Sequence, residues 1–132
     1  MEKLKLSLTL PVDAKTLYNA WLNSEQHSAF TGSEAVIDKR KGGAYSAWDG
    51  YITGVTTDMM PYTRIIQTWR TTEFDEAWPD SVIDLSFEEK NGKTTLTITH
   101  EGLAKGDGAK YKQGWKDFYF TPMKAWFKLG KK

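Results

Sequence analysis

The chain has 132 residues, a net charge of +1 and no cysteine. That length fits one domain with a core that stands without disulfides, and the lack of cysteine excludes thiolate metal sites. The charge balance carries no footprint for nucleic acid or an anionic membrane, and no apolar run is long enough to span a bilayer.

The first ten residues, MEKLKLSLTL, alternate polar and apolar side chains. They read as a half-buried strand ended by Pro11, not as a signal peptide, so a cytoplasmic location is expected. Asp13 is a natural cap for a helix through AKTLYNAWL, where Leu17, Ala20 and Trp21 recur at helical spacing. Ser24 is read as capping a second short helix through Phe30, stopped at Gly32. Two helices after one strand do not fit the regular alternation of a doubly wound fold.

Strands follow. Ser33–Asp38 reads as a short one, turned by Lys39-Arg40-Lys41 and Gly42-Gly43. Ala44–Trp48 and Tyr51–Asp58 form a hairpin around Asp49-Gly50. Thr63–Thr71 comes after Pro61. Ser81–Lys90 and Lys93–Glu101 form a second hairpin around Asn91-Gly92. After the break at Gly106-Asp107-Gly108, Ala109–Leu129 reads as one long helix. Its apolar face carries Tyr111, Trp115, Phe118, Tyr119, Pro122 and Trp126. Pro122 lacks the amide that would bond the Phe118 carbonyl, so a kink or a restart at Thr121-Pro122 is expected. The predicted fold class is α+β: a curved antiparallel sheet of about six or seven strands, two short helices after the first strand, and a long C-terminal helix packed across the sheet.

This order, with Gly42-Gly43, Tyr45, Asp49-Gly50, Gly54, Pro61, Ile65, Trp69-Arg70, Trp78-Pro79, Thr95-Leu96, Gly114-Trp115, Tyr119-Phe120, Lys124 and Phe127, resembles the helix-grip (START-like, SRPBCC) superfamily. Within it, the chain is similar to the C-terminal domain of the activator of the heat-shock protein 90 ATPase. The resemblance implies a stress-related chaperone-interacting module with heat-shock protein 90 as partner and no cofactor. Eukaryotic activators also carry an N-terminal domain with an Asn- and Trp-rich motif, for which 132 residues leave no room. Stimulation of an ATPase is therefore not implied along with the fold. The superfamily also implies a second function: carrying or sensing an apolar small molecule between sheet and helix.

The residues to line such a cavity are Tyr45, Trp48, Gln67, Trp69, Leu85, Phe87, Ile98, His100, Trp115, Tyr119 and Met123. The same aromatics would equally fill a solid core. His100, in phase with Leu96 and Ile98, reads either as a polar group inside a cavity or as a strand-end histidine, half solvated or satisfied by a neighbour such as Glu101. Gln67, in phase with Ile65 and Trp69, reads either as inward-facing or as a rim residue bonded to backbone. An enzyme would need a buried polar pair, for which His100 and Gln67 are the sole candidates. No spacing of His, Asp or Glu suggests a metal, and no nucleophile or phosphate-loop motif is present. The charged runs Lys39-Arg40-Lys41 and Glu73-Phe74-Asp75-Glu76 read as solvated loops that could meet a chaperone.

Overall fold

In the computed structural model, which describes residues 1–128, the alternating leucines build β1 (Glu2–Leu10). Leu4, Leu6, Leu8 and Leu10 are buried and the residues between them face out. The Asp13 carboxylate accepts from the Thr16 amide at 2.8 Å and starts α1 (Ala14–Leu22). Asn23, not Ser24, caps α2 (Ser24–Thr31): its side chain accepts from the Gln26 amide at 2.9 Å. Gly32 ends α2 in the left-handed conformation, φ 81°.

The strand expected over Ser33–Asp38 shrinks to β2 (Val36–Ile37). The Ala35 and Ile37 amides bond to α2. Ser28 Oγ accepts from the Ala35 amide and Ser24 Oγ from the Ile37 amide, both at 2.8 Å. Serine hydroxyls supply the partners that a longer strand would have needed.

Four elements of the sheet come from the two hairpins: β3 (Ala44–Ala47) with β4 (Ile52–Met60), and β6 (Ser81–Lys90) with β7 (Lys93–Leu103). Between the hairpins lies β5 (Arg64–Thr71). The seven strands are ordered β1-β7-β6-β5-β4-β3-β2, each antiparallel to its neighbour. Gly54 is required where β4 meets β5. A Cβ there would lie 1.9 Å from the Thr68 carbonyl oxygen and 2.7 Å from the Tyr45 ring. That ring crosses Gly54 so that its hydroxyl donates to the same carbonyl at 2.7 Å.

The long helix is broken into α3 (Asp107–Trp115), a π-helical turn (Lys116–Phe120) and α4 (Thr121–Lys128). Leu129, the expected end, lies outside the described residues. The π turn ends at Phe120, two residues before Pro122. It shifts bonding from i−4 to i−5, with the Thr121 amide on the Lys116 carbonyl, and so makes room for the proline ring. A π turn advances less per residue than an α turn. Phe118 therefore falls off the buried face and is 56% exposed, while Phe120 arrives on it. Pro122 and Trp126, both expected on that face, are half-buried.

The core lies between the concave side of the sheet and the helices. Ile65, Leu85, Leu96, Ile98 and Met123 are all fully buried. Each such side chain is worth roughly 1.5–3 kcal/mol relative to exposure.

Candidate functional site

The space between the sheet and the C-terminal helices is filled at one end and open at the other. At the filled end, Leu85, Phe87, Ile98 and Met123 pack as solid core, with Phe87 edge-on to Tyr18 at 5.6 Å. The two inward polar candidates, His100 and Gln67, lie within this packing, and each of their polar atoms is hydrogen-bonded. His100 is 0% exposed, so it is no half-solvated strand end. Its Nδ1 accepts from Trp115 Nε1 at 3.1 Å. Nε2 must then carry the proton and donate to Ser81 Oγ at 2.8 Å, while Ser81 donates on to the Trp69 carbonyl at 2.5 Å. Every member of the chain is satisfied with a neutral imidazole. Gln67 also faces inward, not to a rim: its amide donates to Thr56 Oγ1 at 3.0 Å and accepts from Trp21 Nε1 at 3.2 Å.

A third buried polar group, His27, has no periodic signal in the sequence. Its Nδ1 donates to the Trp21 carbonyl at 2.8 Å, and its Nε2 accepts from the Tyr119 hydroxyl at 2.8 Å. Burial pushes its pKa down to about 4, and that of His100 down to about 3. Burial also raises the pKa of the Tyr119 and Tyr45 hydroxyls. Burial thus holds the histidines and tyrosines neutral as hydrogen-bonding struts, and His100 and Gln67, the polar pair an acid–base enzyme would need, make their bonds within the core.

At the open end lies a cleft of about 390 Å³, near the lower end of the roughly 300–1,000 Å³ found for small-molecule sites. It is lined by Trp48, Ile52, Trp69, Tyr111, Gly114, Trp115, Phe118 and Tyr119, with the polar Tyr51, Glu73 and Lys110 together at one edge. Of the residues expected to line a cavity, the structure places Trp48, Trp69, Trp115 and Tyr119 on the cleft. Tyr45, Gln67, Leu85, Phe87, Ile98, His100 and Met123 pack in the core outside it. His100 touches the cleft indirectly, through its bond to Trp115 and its edge contact with Trp69 at 4.5 Å.

The mouth is made by Trp48 and Phe118, in edge-to-face contact at 5.5 Å. Trp48 is held unusually. Its φ is +54°, a region bulky residues rarely occupy, followed by Asp49 at +57°. Its indole N–H is buried with no acceptor among the described residues. Opposite, the Tyr51 hydroxyl donates to Glu73 Oε2, and Lys110 Nζ donates to Glu73 Oε1 at 2.7 Å. Lys110 and Tyr51 together hold the Glu73 carboxyl below its usual range. Burial first, and Glu73 second, raise the Tyr51 pKa.

The sequence pattern missed Tyr51, Ile52, Glu73, Lys110 and Gly114. Tyr111 and Phe118 were visible as part of the aromatic helix face. The charged loops are tied locally: Arg40 pairs with Asp38 at 2.8 Å and Lys41 with Asp58 at 3.7 Å. Among the described residues no group of three or more His, Asp or Glu is placed to hold a metal, and no helix is long and apolar enough to cross a membrane.

The family model described as Activator of Hsp90 ATPase homolog 1-like protein matches residues 11–128. The human activator of 90 kDa heat shock protein ATPase homolog 1 is 30% identical over 131 residues, which are 97% of this chain and 38% of that protein. The Dictyostelium discoideum activator homologue is 29% identical over 124 residues, 92% of this chain and 31% of its own. The chain thus spans about two-fifths or less of these curated relatives. The crystal structure of a heat-shock protein 90 activator from Plasmodium falciparum superposes with a TM-score of 0.86 at 22% identity, covering 98% of this chain and 97% of that one. At that identity the likeness speaks for the fold.

Proposed function

Since the chain belongs to the family of Activator of Hsp90 ATPase homolog 1-like proteins, we propose that it acts as a single non-enzymatic helix-grip domain. Its role is to bind heat-shock protein 90 in the cytoplasm as a regulator in the stress response. The observation that carries this reading is the family match across nearly the whole chain.

The contact is placed on the outer sheet face. There Ala44, Val55, Thr68 and Val82 follow one another across β3 to β6. Val55 and Val82 are 37% and 41% exposed. The ion pairs Arg64–Asp84 and Arg70–Asp80 flank this strip, the arrangement of an apolar centre with a charged rim. Titrating the isotope-labelled chain with heat-shock protein 90 is expected to broaden the amide signals of these residues, less so at high salt. An unchanged spectrum at high chaperone concentration contradicts the reading.

A second reading is favoured by the open cleft: a carrier or sensor of an apolar small molecule. An aromatic-walled space with its few polar groups at one edge is how such sites are built. Naphthalene is expected to saturate the tryptophan fluorescence of the wild-type chain. Linear, non-saturating quenching contradicts this reading.

A further inference from the structure

The polar rim of the cleft has a chemistry that selects among apolar ligands. Tyr51 begins the approach to β4, Glu73 lies in the loop after β5, and Lys110 is on α3. Three elements distant in sequence thus bring a hydroxyl, a carboxylate and an ammonium to one edge of an otherwise apolar space. Their positions are fixed from behind. The Glu73 amide donates to Thr71 Oγ1 at 3.1 Å, Thr71 Oγ1 bonds the Tyr111 hydroxyl at 2.9 Å, and the Thr72 amide donates to the Tyr51 carbonyl at 3.0 Å. Lys110 lies over the Tyr111 ring, 5.1 Å from its centroid.

The charge of the rim cancels within itself, +1 on Lys110 against −1 on Glu73. Its hydrogen-bonding capacity does not cancel. An ammonium has three donors and a carboxylate about four acceptor sites. Here Lys110 spends a donor on Glu73, and Glu73 accepts from Lys110 and Tyr51. Donors of Lys110 and acceptor sites of Glu73 are left side by side at the edge of an apolar cleft.

We propose that Tyr51, Glu73 and Lys110 recognise a neutral hydroxyl at the end of a flat apolar ligand, the hydroxyl donating to Glu73 and accepting from Lys110. A hydroxyl uses both free functions at once. A carboxylate would use only the donor and would stand beside Glu73 with like charge. A flat ligand suits the walls, since Trp48, Trp69, Trp115 and Phe118 supply ring surfaces on which it can stack. The inference rests on the apolar-ligand reading of the cleft and adds to it the chemistry of one end of the ligand.

Three probes of one shape test it: naphthalene, 2-naphthol (neutral at the assay pH) and 2-naphthoate, each titrated into the wild-type chain with tryptophan fluorescence as readout. 2-Naphthol is expected to bind about fivefold tighter than naphthalene, the worth of a half-solvated hydrogen bond to charged groups, and 2-naphthoate no tighter than naphthalene. In the Glu73→Met, Lys110→Met double variant, which removes both hydrogen-bonding groups, the ratio of 2-naphthol to naphthalene affinity should fall from about five to about one. Both substitutions are on half-exposed side chains, and naphthalene binding reports that the cleft is intact. Equal affinities of naphthol and naphthalene for the wild type overturn the inference and leave the cleft reading standing. So does a naphthol preference that survives in the double variant, or a preference for naphthoate. Failure of all three probes to bind overturns both.

Discussion

The two ends of the space under the C-terminal helix are built from similar residues and behave differently. At the filled end, the inward polar side chains are paired: His100 has Ser81 and Trp115, Gln67 has Thr56 and Trp21, His27 has Trp21 and Tyr119, and the Tyr18 hydroxyl alone of this set is buried without a partner among the described residues. At the open end, the Trp48 indole N–H is buried without an acceptor among the described residues, its backbone is left-handed, and Phe118 is turned to solvent. The first pattern is how a core gains a unique arrangement, because each unpaired buried group would cost roughly 1–3 kcal/mol. The second leaves stabilising energy unused, which is what a site does when it keeps space for something else. The division coincides with the change of helical register. α4 presses Met123 and Phe127 into the core, whereas the π turn carries Phe118 over the cleft.

The sharpest way to break the comparison is to remove packing at each end. Leu85→Ala, at a fully buried position, is expected to cost about 2–5 kcal/mol in denaturant unfolding. A loss below about 1 kcal/mol would mean that the filled end is not tightly packed.

Acid should discriminate almost as strongly. The folded pKa of His27 is depressed to about 4 and that of His100 to about 3, from 6.5. Both are neutral in the fold, so the unfolded chain binds more protons below about 6.5. Their contribution is complete above about pH 6.5 and drains away as the pH falls toward 4 and then 3. For His27 alone the loss is roughly 3 kcal/mol, from a shift of 6.5 − 4 = 2.5 units. The exposed carboxylates of Glu2, Asp38 and Glu73, whose pKa values are lowered, withdraw their own contribution only below about pH 4. His27→Gln should therefore flatten the stability profile between pH 6.5 and 4. An unchanged slope would place the acid sensitivity elsewhere.

The open end should respond weakly. Trp48→Gly sets relief of the left-handed backbone, about 1 kcal/mol, against lost contact with Phe118, and the net change is expected within about 1 kcal/mol of zero. Phe118→Ala is smaller still, about 0.5 kcal/mol or less, as for other exposed side chains. A large loss from either would make the mouth of the cleft part of the core.

Much of the fold was legible because its signals are local. The leucine alternation of β1, the Asp13 cap and the two Gly-containing turns each act over a few residues. The break at Pro122 was legible as a missing amide; its resolution by a π turn was not, because bonding to i−5 leaves no composition signal. Ser33–Asp38 was over-read because the serines that replace its strand partners belong to α2. The inward phase of Gln67 and His100 follows from alternation, but their partners come from other elements. His27 is invisible for the same reason: Tyr119, which satisfies it, is 92 residues away. The aromatic half of the cleft could be read from helix periodicity and the hairpin. Its polar rim could not, since Tyr51, Glu73 and Lys110 meet only once the sheet has curved under α3.

The claim that one end is a site and the other a core is tested most directly by an amide and indole chemical-shift map of the chain with naphthalene. The expected changes fall on Trp48, Tyr51, Trp69, Tyr111, Trp115 and Phe118, with Leu85, Ile98 and Met123 unmoved. Shifts centred on Leu85 and Met123, or none at saturating probe, would contradict it.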